Sequence, residues 1–398
     1  MVSNSVEIGN ICDLQEGYVN PSQKVPGYFG GGIRWLRAVD LNDAEVFETS
    51  RTLSQAGYES AGKSALMFPA NSIGISKSGT IGRLGILRKP MCGNRAVINI
   101  VPKQSNDLRY IFYSLRMARQ SIIAMAVGSV QKNLYVPVLE SLTIPWPEQH
   151  VRDTIVDIAG SIDDKIAVNT RVNDYLTAMA DARFAELVAN AEDEIQLPQA
   201  INILSGGTPK TKEPSYWEDG TIPFFGPGDV KGAVYTLETE KHITELGLDN
   251  CNSSLYPVNT VFLTARGTVG KVAIAGRPMA MNQSCFAFSG IDWFPQTYVY
   301  QVIKRAVRSL KAKSNGATFA AINTRDLKDE MIPMPHRNAV EEYDKWATPL
   351  YALMLANEEE SIRLASLRDA LLPKLMSGEV DVSRIELPTQ PNNHLYVQ

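Results

Sequence analysis

The chain has 398 residues, 44% of them hydrophobic and 21% charged, which suits two or more soluble globular domains. It contains no run of eighteen apolar residues, and its opening, MVSNSVEIGNICDLQEG, lacks the basic-then-apolar layout of a secretory signal. No membrane partner and a cytoplasmic location are therefore expected. Cys12, Cys92, Cys251 and Cys285, like His150, His242, His336 and His394, are scattered and form no C-x-x-C or H-E-x-x-H, so neither a disulfide framework nor a metal centre is expected.

In chain order, RTLSQAGYESAGKS (51–64) comes first, and its last eight residues satisfy G-x-x-x-x-G-K-[ST]. Short runs SIGIS, LGIL and VINIV follow, punctuated by Gly and Pro, and predict strands and turns. LRYIFYSLRMARQSII (108–123) predicts a helix. After IPWPEQH the pattern changes. Val151, Ile155, Ile158, Ile162, Ile166 (or Lys165), Asn169, Val172, Leu176, Met179 and Leu187 fall near three-four spacing, which predicts one long amphipathic helix. A second series then begins: strands TVFLT, VAIA and CFAF, a helix at YVYQVIKRAVRSLKA, and after IPMPHRN another long helix with Trp346, Leu350, Leu353, Asn357, Leu364, Leu367 and Leu371 on its stripe.

The two series are one series repeated at an offset of 188 residues. PANSIGISKSGTIGRLGILRKPMCGN (69–94) lies over PVNTVFLTARGTVGKVAIAGRPMAMN (257–282) without a gap, and the register extends to Pro145/Pro333 and Pro147/Pro335. The expected organisation is an α+β (mixed α/β) unit over 1–147, a helical spacer over 148–195, a second unit over 196–335, a second spacer over 336–380 and a tail over 381–398. The two helices, with matching stripes, can bury them together as a coiled coil; if they pair antiparallel, the repeat gains a pseudo-two-fold axis. Asn169 and Asn357, one repeat apart, interrupt the apolar seams. They either fix helix register or stand as partly exposed polar residues.

The repeat tests the Gly-Lys-Ser motif. ITELGLDNCNSSLYP (243–257), the matching stretch, is two residues shorter and keeps neither Gly62 nor Lys63. Pro69 and a strand follow Ser64 where a phosphate loop needs a helix, so a surface loop is expected; an NTPase using Lys63 is the rival reading. FFGPG (224–228) has F-x-G-x-G but no helix after it, and no Pro-Pro dipeptide exists to hold a flipped base. No catalytic constellation is found.

SGGTPKTKEPSYWEDGTIPFFGPGDV (205–230), ARGTVGKVAI (265–274), LKDEMIPMP (327–335) and LRDALLPKLMSGEVDVS (367–383) strongly resemble the specificity subunit of type I restriction-modification systems. The resemblance covers essentially the whole chain. It implies two target recognition domains, each reading one half of a split double-stranded DNA site, joined by antiparallel helices that dock two methyltransferase subunits. Restriction subunits join through that complex. It also implies that this chain is no enzyme and binds no cofactor of its own: S-adenosylmethionine, ATP and Mg belong to the partners. A specificity chain of a related system with fused cleavage and methylation is an alternative.

Charge distribution agrees with this. Residues 1–147 carry 15 Lys and Arg against 10 Asp and Glu, and 196–335 carry 14 against 12; 148–195 carry 4 against 11, and 336–398 carry 6 against 10. A polyanion would meet the globular blocks and proteins the acidic helices. Helices of roughly 40 residues at about 1.5 Å each are about 60 Å long, which suits half-sites one to two duplex turns of about 34 Å apart.

The expected DNA-binding residues flank the shared Gly-Thr-x-Gly turns, formed by Gly79 and Gly82 and by Gly267 and Gly270. They are Lys77, Ser78 and Arg83 in the first unit, and Arg266 and Lys271 in the second. Arg95 and its match Gln283 can contact base edges bidentately, whereas the shared Asn94 and Asn282 are expected to hold the fold. Thr208, Lys210, Lys212 and Trp217, with Trp35, Arg37 and Lys132 in the first unit, complete the set.

Overall fold

In SIGIS, Ile73 and Ile75 point to one face of a strand and Gly74 to the other, and all five residues are buried. A strand covered on both faces sits at the centre of a layered unit, and the fold is built outward from two such strands. The structure, a computed structural model, describes residues 4–128, 132–189, 191–313 and 321–382; most of the C-terminal tail expected from residue 381, including His394, lies outside them. The chain divides into two compact units, Met1–Asp164 with Ala365–Gln398, and Lys165–Leu364.

The first unit has a five-stranded sheet in the order β2 (Cys12–Glu16), β10 (Val97–Pro102), β7 (Ser72–Ser76), β8 (Leu84–Leu87) and β4 (Ala44–Val46). All neighbours are antiparallel except β4 with β8. A smaller sheet runs β5 (Thr52–Leu53), β3 (Phe29–Leu36), β9 (Met91–Gly93), β6 (Met67–Phe68), and β1 (Ser5–Glu7) pairs with β11 (Thr143–Pro145). The helices are α1 (Ile8–Ile11), α2 (Gln55–Glu59), α3 (Leu108–Met117), α4 (Arg119–Met125), α5 (Val136–Glu140) and the start of α6 (Gln149–Ala189). Ile73, Ile75, Ile98 and Ile100 bury one sheet face with Leu108, Ile111 and Leu115 of α3. On the other face Gly74 and Gly85 admit Leu41, whose Cδ2 would stand 3.1 Å and 2.9 Å from a Cβ there.

The second unit repeats this order with β13 (Ile201–Ser205), β20 (Cys285–Gly290), β17 (Val261–Thr264), β18 (Val272–Ala275) and β15 (Tyr235–Thr236). Its smaller sheet is β16 (Lys241–Ile243), β14 (Ile222–Phe225), β19 (Ala280–Met281), and β12 (Asp193–Gln196) pairs with β21 (Met331–Met334). Helices α7 (Glu245–Asp249), α8 (Gln296–Lys313), α9 (Thr324–Lys328) and α10 (Arg337–Ser377) follow. From β8 onward the 188-residue offset holds to the residue in several elements: β8 maps onto β18, α5 onto α9 and α6 onto α10. Upstream, single-residue insertions move it, so that α2 and α7 are 190 apart.

The helix α6 gives its part up to Asp164 to the first unit and the remainder to the second, and α10 does the reverse. Within the second unit they run antiparallel: Asn173 donates to the Met354 carbonyl at 3.1 Å, and Tyr343 OH reaches the Ala180 carbonyl at 3.4 Å. The apolar stripe differs from the one expected. Met179, Leu353 and Leu367 are exposed, while Ala180, Phe184, Tyr343, Ala347, Tyr351 and Met354 are buried. Each helix must satisfy both its partner helix and a globular core, so its buried surface spreads over more than one seam.

Nucleotide binding through Lys63 is overturned by this arrangement. Gly57 lies on α2, and Gly62–Ser64 is a single 3-10 turn followed by the two-residue strand β6, with no strand–loop–helix around it. The pattern's first glycine has a packing cause: a Cβ on Gly57 would stand 2.1 Å from the Tyr28 carbonyl oxygen, and one on Gly247 would stand 2.6 Å from that of Tyr216. Ser54 and Thr244 cap the two helices by accepting from these same glycines at 3.2 and 3.0 Å.

Candidate nucleic-acid interface

The Gly-Thr-x-Gly turns join β7 to β8 in one unit and β17 to β18 in the other. Gly79 and Gly82 take left-handed backbone (φ 73° and 85°), as do Gly267 and Gly270 (79° and 80°), a conformation that side chains disfavour. A hydroxyl at the end of each preceding strand closes the turn. Ser76 Oγ donates to the Thr80 carbonyl at 2.5 Å and accepts from Arg83 N–H at 2.9 Å. Thr264 Oγ1 repeats this with Thr268 at 2.5 Å and Lys271 N–H at 3.0 Å.

A second turn stands beside each first one. Asn94 Oδ1 accepts Ala96 N–H, and Asn282 Oδ1 accepts Ser284 N–H, both at 2.9 Å. Their own N–H groups donate to Leu36 at 3.0 Å and Phe225 at 2.9 Å. Backbone bonds tie the turns together: Lys77 N–H to Ala96 and Ala265 N–H to Ser284, each 2.8 Å. The repeated asparagines and glycines thus build a common scaffold. What projects from it differs: exposed Arg83 and Arg95 in one unit, exposed Arg266 and Gln283 in the other, where Lys271 donates its ammonium to the Val230 carbonyl at 2.9 Å.

In the first unit, Leu134 N–H donates to the Lys77 carbonyl at 2.9 Å, which brings the segment carrying exposed Lys132 to the same end of the sheet. In the second unit, Thr268 Oγ1 donates to the Pro227 carbonyl at 2.9 Å and Thr208 Oγ1 donates to Gln283 Oε1. Trp217 donates its indole N–H to the Lys210 carbonyl at 3.1 Å, so the loop from Thr208 to Trp217, with exposed Lys210 and Lys212, joins this cluster. Burial raises the thiols of Cys12, Cys92 and Cys285 to about 12, which keeps them protonated and inert. Among the described residues no group of three or more His, Cys, Asp or Glu could hold a metal, and no helix is long and apolar enough to cross a membrane.

A family model described as the type I restriction modification DNA specificity domain matches residues 3–178 and again 193–345. The chain belongs to this family. It is 24% identical to the MjaIX type I restriction enzyme specificity subunit of Methanocaldococcus jannaschii over 95% of this chain and 94% of that protein. It is 21% identical to the HindI specificity subunit of Haemophilus influenzae, over 61% of this chain and 70% of that one. Its fold is similar to the crystal structure of a type I restriction-modification S subunit from M. genitalium, with a TM-score of 0.54 at 16% identity, covering 94% of this chain and 96% of the other.

Within this specificity-family fold, two of the expected contact residues are held inside the first unit. Trp35 is 3% exposed, packs with Val19, Leu53 and Cys92, and donates its indole N–H to the Val19 carbonyl at 2.7 Å. Lys77 pairs with Glu16 at 2.9 Å, its side chain 14% exposed, so its charge is already met. Arg37 lies over the Trp35 ring, 5.4 Å from its centroid, and donates to Ser50 Oγ at 2.6 Å; Ser78 is half-buried. Beside Trp35 the two units share one ring arrangement. The ring pair Phe29–Trp35 (5.9 Å) corresponds to Trp217–Phe224 (5.4 Å), with Arg51 and Lys241 as the cations over them. Phe29, Arg51, Phe224 and Lys241 are absent from the expected set; Phe29 lies one 188-residue repeat before Trp217, and that offset is the signal that could have found it.

Proposed function

We propose that this chain is the DNA-reading and assembly subunit of a type I restriction-modification system. Each unit reads one half of a split duplex target, and the acidic long helices dock methyltransferase subunits, through which restriction subunits join. The observation that carries this reading is the doubled scaffold: the same two hydrogen-bonded turns occur in both units but present Arg83 and Arg95 in one, and Arg266 and Gln283 in the other. A shared backbone with different projecting donors is what two readers of different sequences require, because base identity is read by side-chain donors and acceptors while backbone groups and cations fix position on phosphates.

In this reading the chain acts in the cytoplasm and is not itself an enzyme. S-adenosylmethionine, ATP and Mg are bound by its partners. The test uses the purified full chain, alone and with co-purified methyltransferase. The expected result is selection of a split target from random duplexes, with methyl transfer from labelled S-adenosylmethionine only when the partner is present. Methyl transfer by the chain alone, or no sequence selection by the complex, refutes it.

A further inference from the structure

We propose that α8 carries a phosphate-binding cleft that the first unit lacks, and that its ligand is the sugar–phosphate backbone of the duplex beside the second unit's half-site. The proposal rests on the DNA-reading function above and extends it to a surface away from the recognition turns.

Five cations lie on α8: Lys304, Arg305, Arg308, Lys311 and Lys313. Three are engaged by the fold. Lys304 pairs with Asp181 at 2.6 Å, Lys313 pairs with Glu330 at 2.6 Å, and Lys311 Nζ approaches the Gly270 carbonyl at 3.4 Å. Arg305 and Arg308, one turn apart, are exposed and make neither an ion pair nor a hydrogen bond among the described residues. They open on a cleft of about 410 Å³ that Ser309 and Lys313 also line, with Glu194, Glu330 and Met331 on its other wall. Glu330 is 3% exposed and already held by Lys313, so among the described residues the cleft is lined by one unpaired carboxylate, Glu194, and two unpaired guanidinium groups.

Arg308 also borders a shallower depression of about 240 Å³ with Gly270, Tyr300 and Lys311. Cationic surface therefore runs from the second glycine turn along the helix to Arg305. Arg305, Arg308 and Lys311 follow one another at axial steps of about 4.5 Å, three residues at about 1.5 Å each, and their long stems can adjust to a strand of phosphates. Guanidinium forks pair with phosphate oxygens in the bidentate geometry that makes such contacts strong. An acidic protein surface is the less suited occupant, because the track leads from the turns where the recognition loops gather.

The first unit offers no counterpart. At the equivalent positions, 188 residues earlier, stand Met117, Gln120, Ser121 and Met125. Its three arginines on α3 and α4 are all paired: Arg109 with Asp164 at 2.5 Å, Arg116 with Asp369 at 2.8 Å, and Arg119 with Asp43. The duplicated units have thus diverged in charge on this helix: among the described residues, α8 keeps unpaired cations and α3 and α4 keep none.

The experiment measures duplex affinity against salt for the full chain assembled with its co-purifying methyltransferase. With Arg305→Gln and Arg308→Gln together, the slope of log affinity against log salt should shrink by about 1 to 2, at about 0.9 for each phosphate no longer neutralised. Affinity should fall by about ten-fold or more at low salt, while the selected sequence stays the same. Arg305→Lys with Arg308→Lys should keep most of the slope. Unchanged slope and affinity in the Gln variant overturn the proposal, as does a failure of methyltransferase assembly with an unchanged slope, which would assign the cleft to a protein. A wild-type complex without sequence selection overturns the underlying reading, and the proposal with it.

Discussion

Asn169 meets its own repeat copy: its side-chain nitrogen lies 3.4 Å from the backbone carbonyl of Asn357, 188 residues on. Each is the middle residue of its 41-residue helix, so the antiparallel helices cross here at their midpoints. Asn169 also donates to Ser361 Oγ at 3.3 Å and to Glu360 at 2.8 Å, while Asn357 donates to Asn173 Oδ1 at 2.8 Å. Asn173 and Ser361 are themselves repeat equivalents, so the asparagines trade matching contacts. All three asparagines are under 10% exposed, which makes this a nearly dry polar layer that a slipped register would leave unpaired.

Breaking that layer should therefore be costly and cooperative. Asn357→Ala and Asn173→Ala should each destabilise the second unit by about 1–3 kcal/mol, because a buried partner loses its bond. In a double-mutant cycle followed by denaturant unfolding, the pair should couple by about 0.5–3 kcal/mol. Strict additivity would show that the asparagines act separately.

Glu358, beside this layer, should make the helix pair pH-sensitive. Burial raises its pKa, the hydrogen bond from Asn173 works the other way, and the charge of Asp174 raises it further. Because the folded-state value lies above the unfolded one, folding favours the protonated form. That stability is fully present below the unfolded value and is lost as pH rises through the raised folded value. Glu358→Gln should flatten the fall in melting temperature across that window; an unaltered pH profile would exclude Glu358 as its source.

Gly57 and Lys63 should separate cleanly, although one motif contains both. Gly57→Ala drives a Cβ to 2.1 Å from a backbone oxygen and should cost about 1–3 kcal/mol or block folding of the first unit. Lys63→Ala removes an exposed side chain and should shift stability by less than about 0.5 kcal/mol. Equilibrium dialysis with ATP should find no binding by wild type that Lys63→Ala removes.

Asn99 is a weak point in the first unit. Fully buried on β10, its side-chain oxygen and nitrogen both lack partners among the described residues, and its repeat equivalent is the buried Ala287. Asn99→Val, similar in size and suited to a strand, should raise the first unit's stability by about 1 kcal/mol by removing an unpaired buried amide. A lower melting temperature would mean that the amide has a bound partner such as water.

The sequence made the duplication legible wherever no insertion intervenes. β8, α5 and α6 map onto β18, α9 and α10 at one constant offset, and the strands at their centres are apolar on both faces. It is less legible upstream of α7, where the offset drifts and Phe224 stands in the ring pair where the first unit has Trp35. Asn173 escapes notice because its copy is Ser361, so no shared asparagine marks the position. At the interface, residue type suggests which side chains carry suitable donors, but not which are already spent. Lys77 and Trp35 look like contacts until Glu16 and Val19 are seen to hold them.

The first unit is closed by chain that the ribosome delivers only after the second unit. Leu372, Leu375 and Met376 of α10 lie in the same core as Ile73 and Ile100, and Asp369 clasps Arg116. Translation must therefore pass through the whole second unit before the first can bury its core. A premature stop just beyond Leu364 would spare every residue of the second unit, yet leave the unit made first with an open apolar flank exposed to chaperones and proteases.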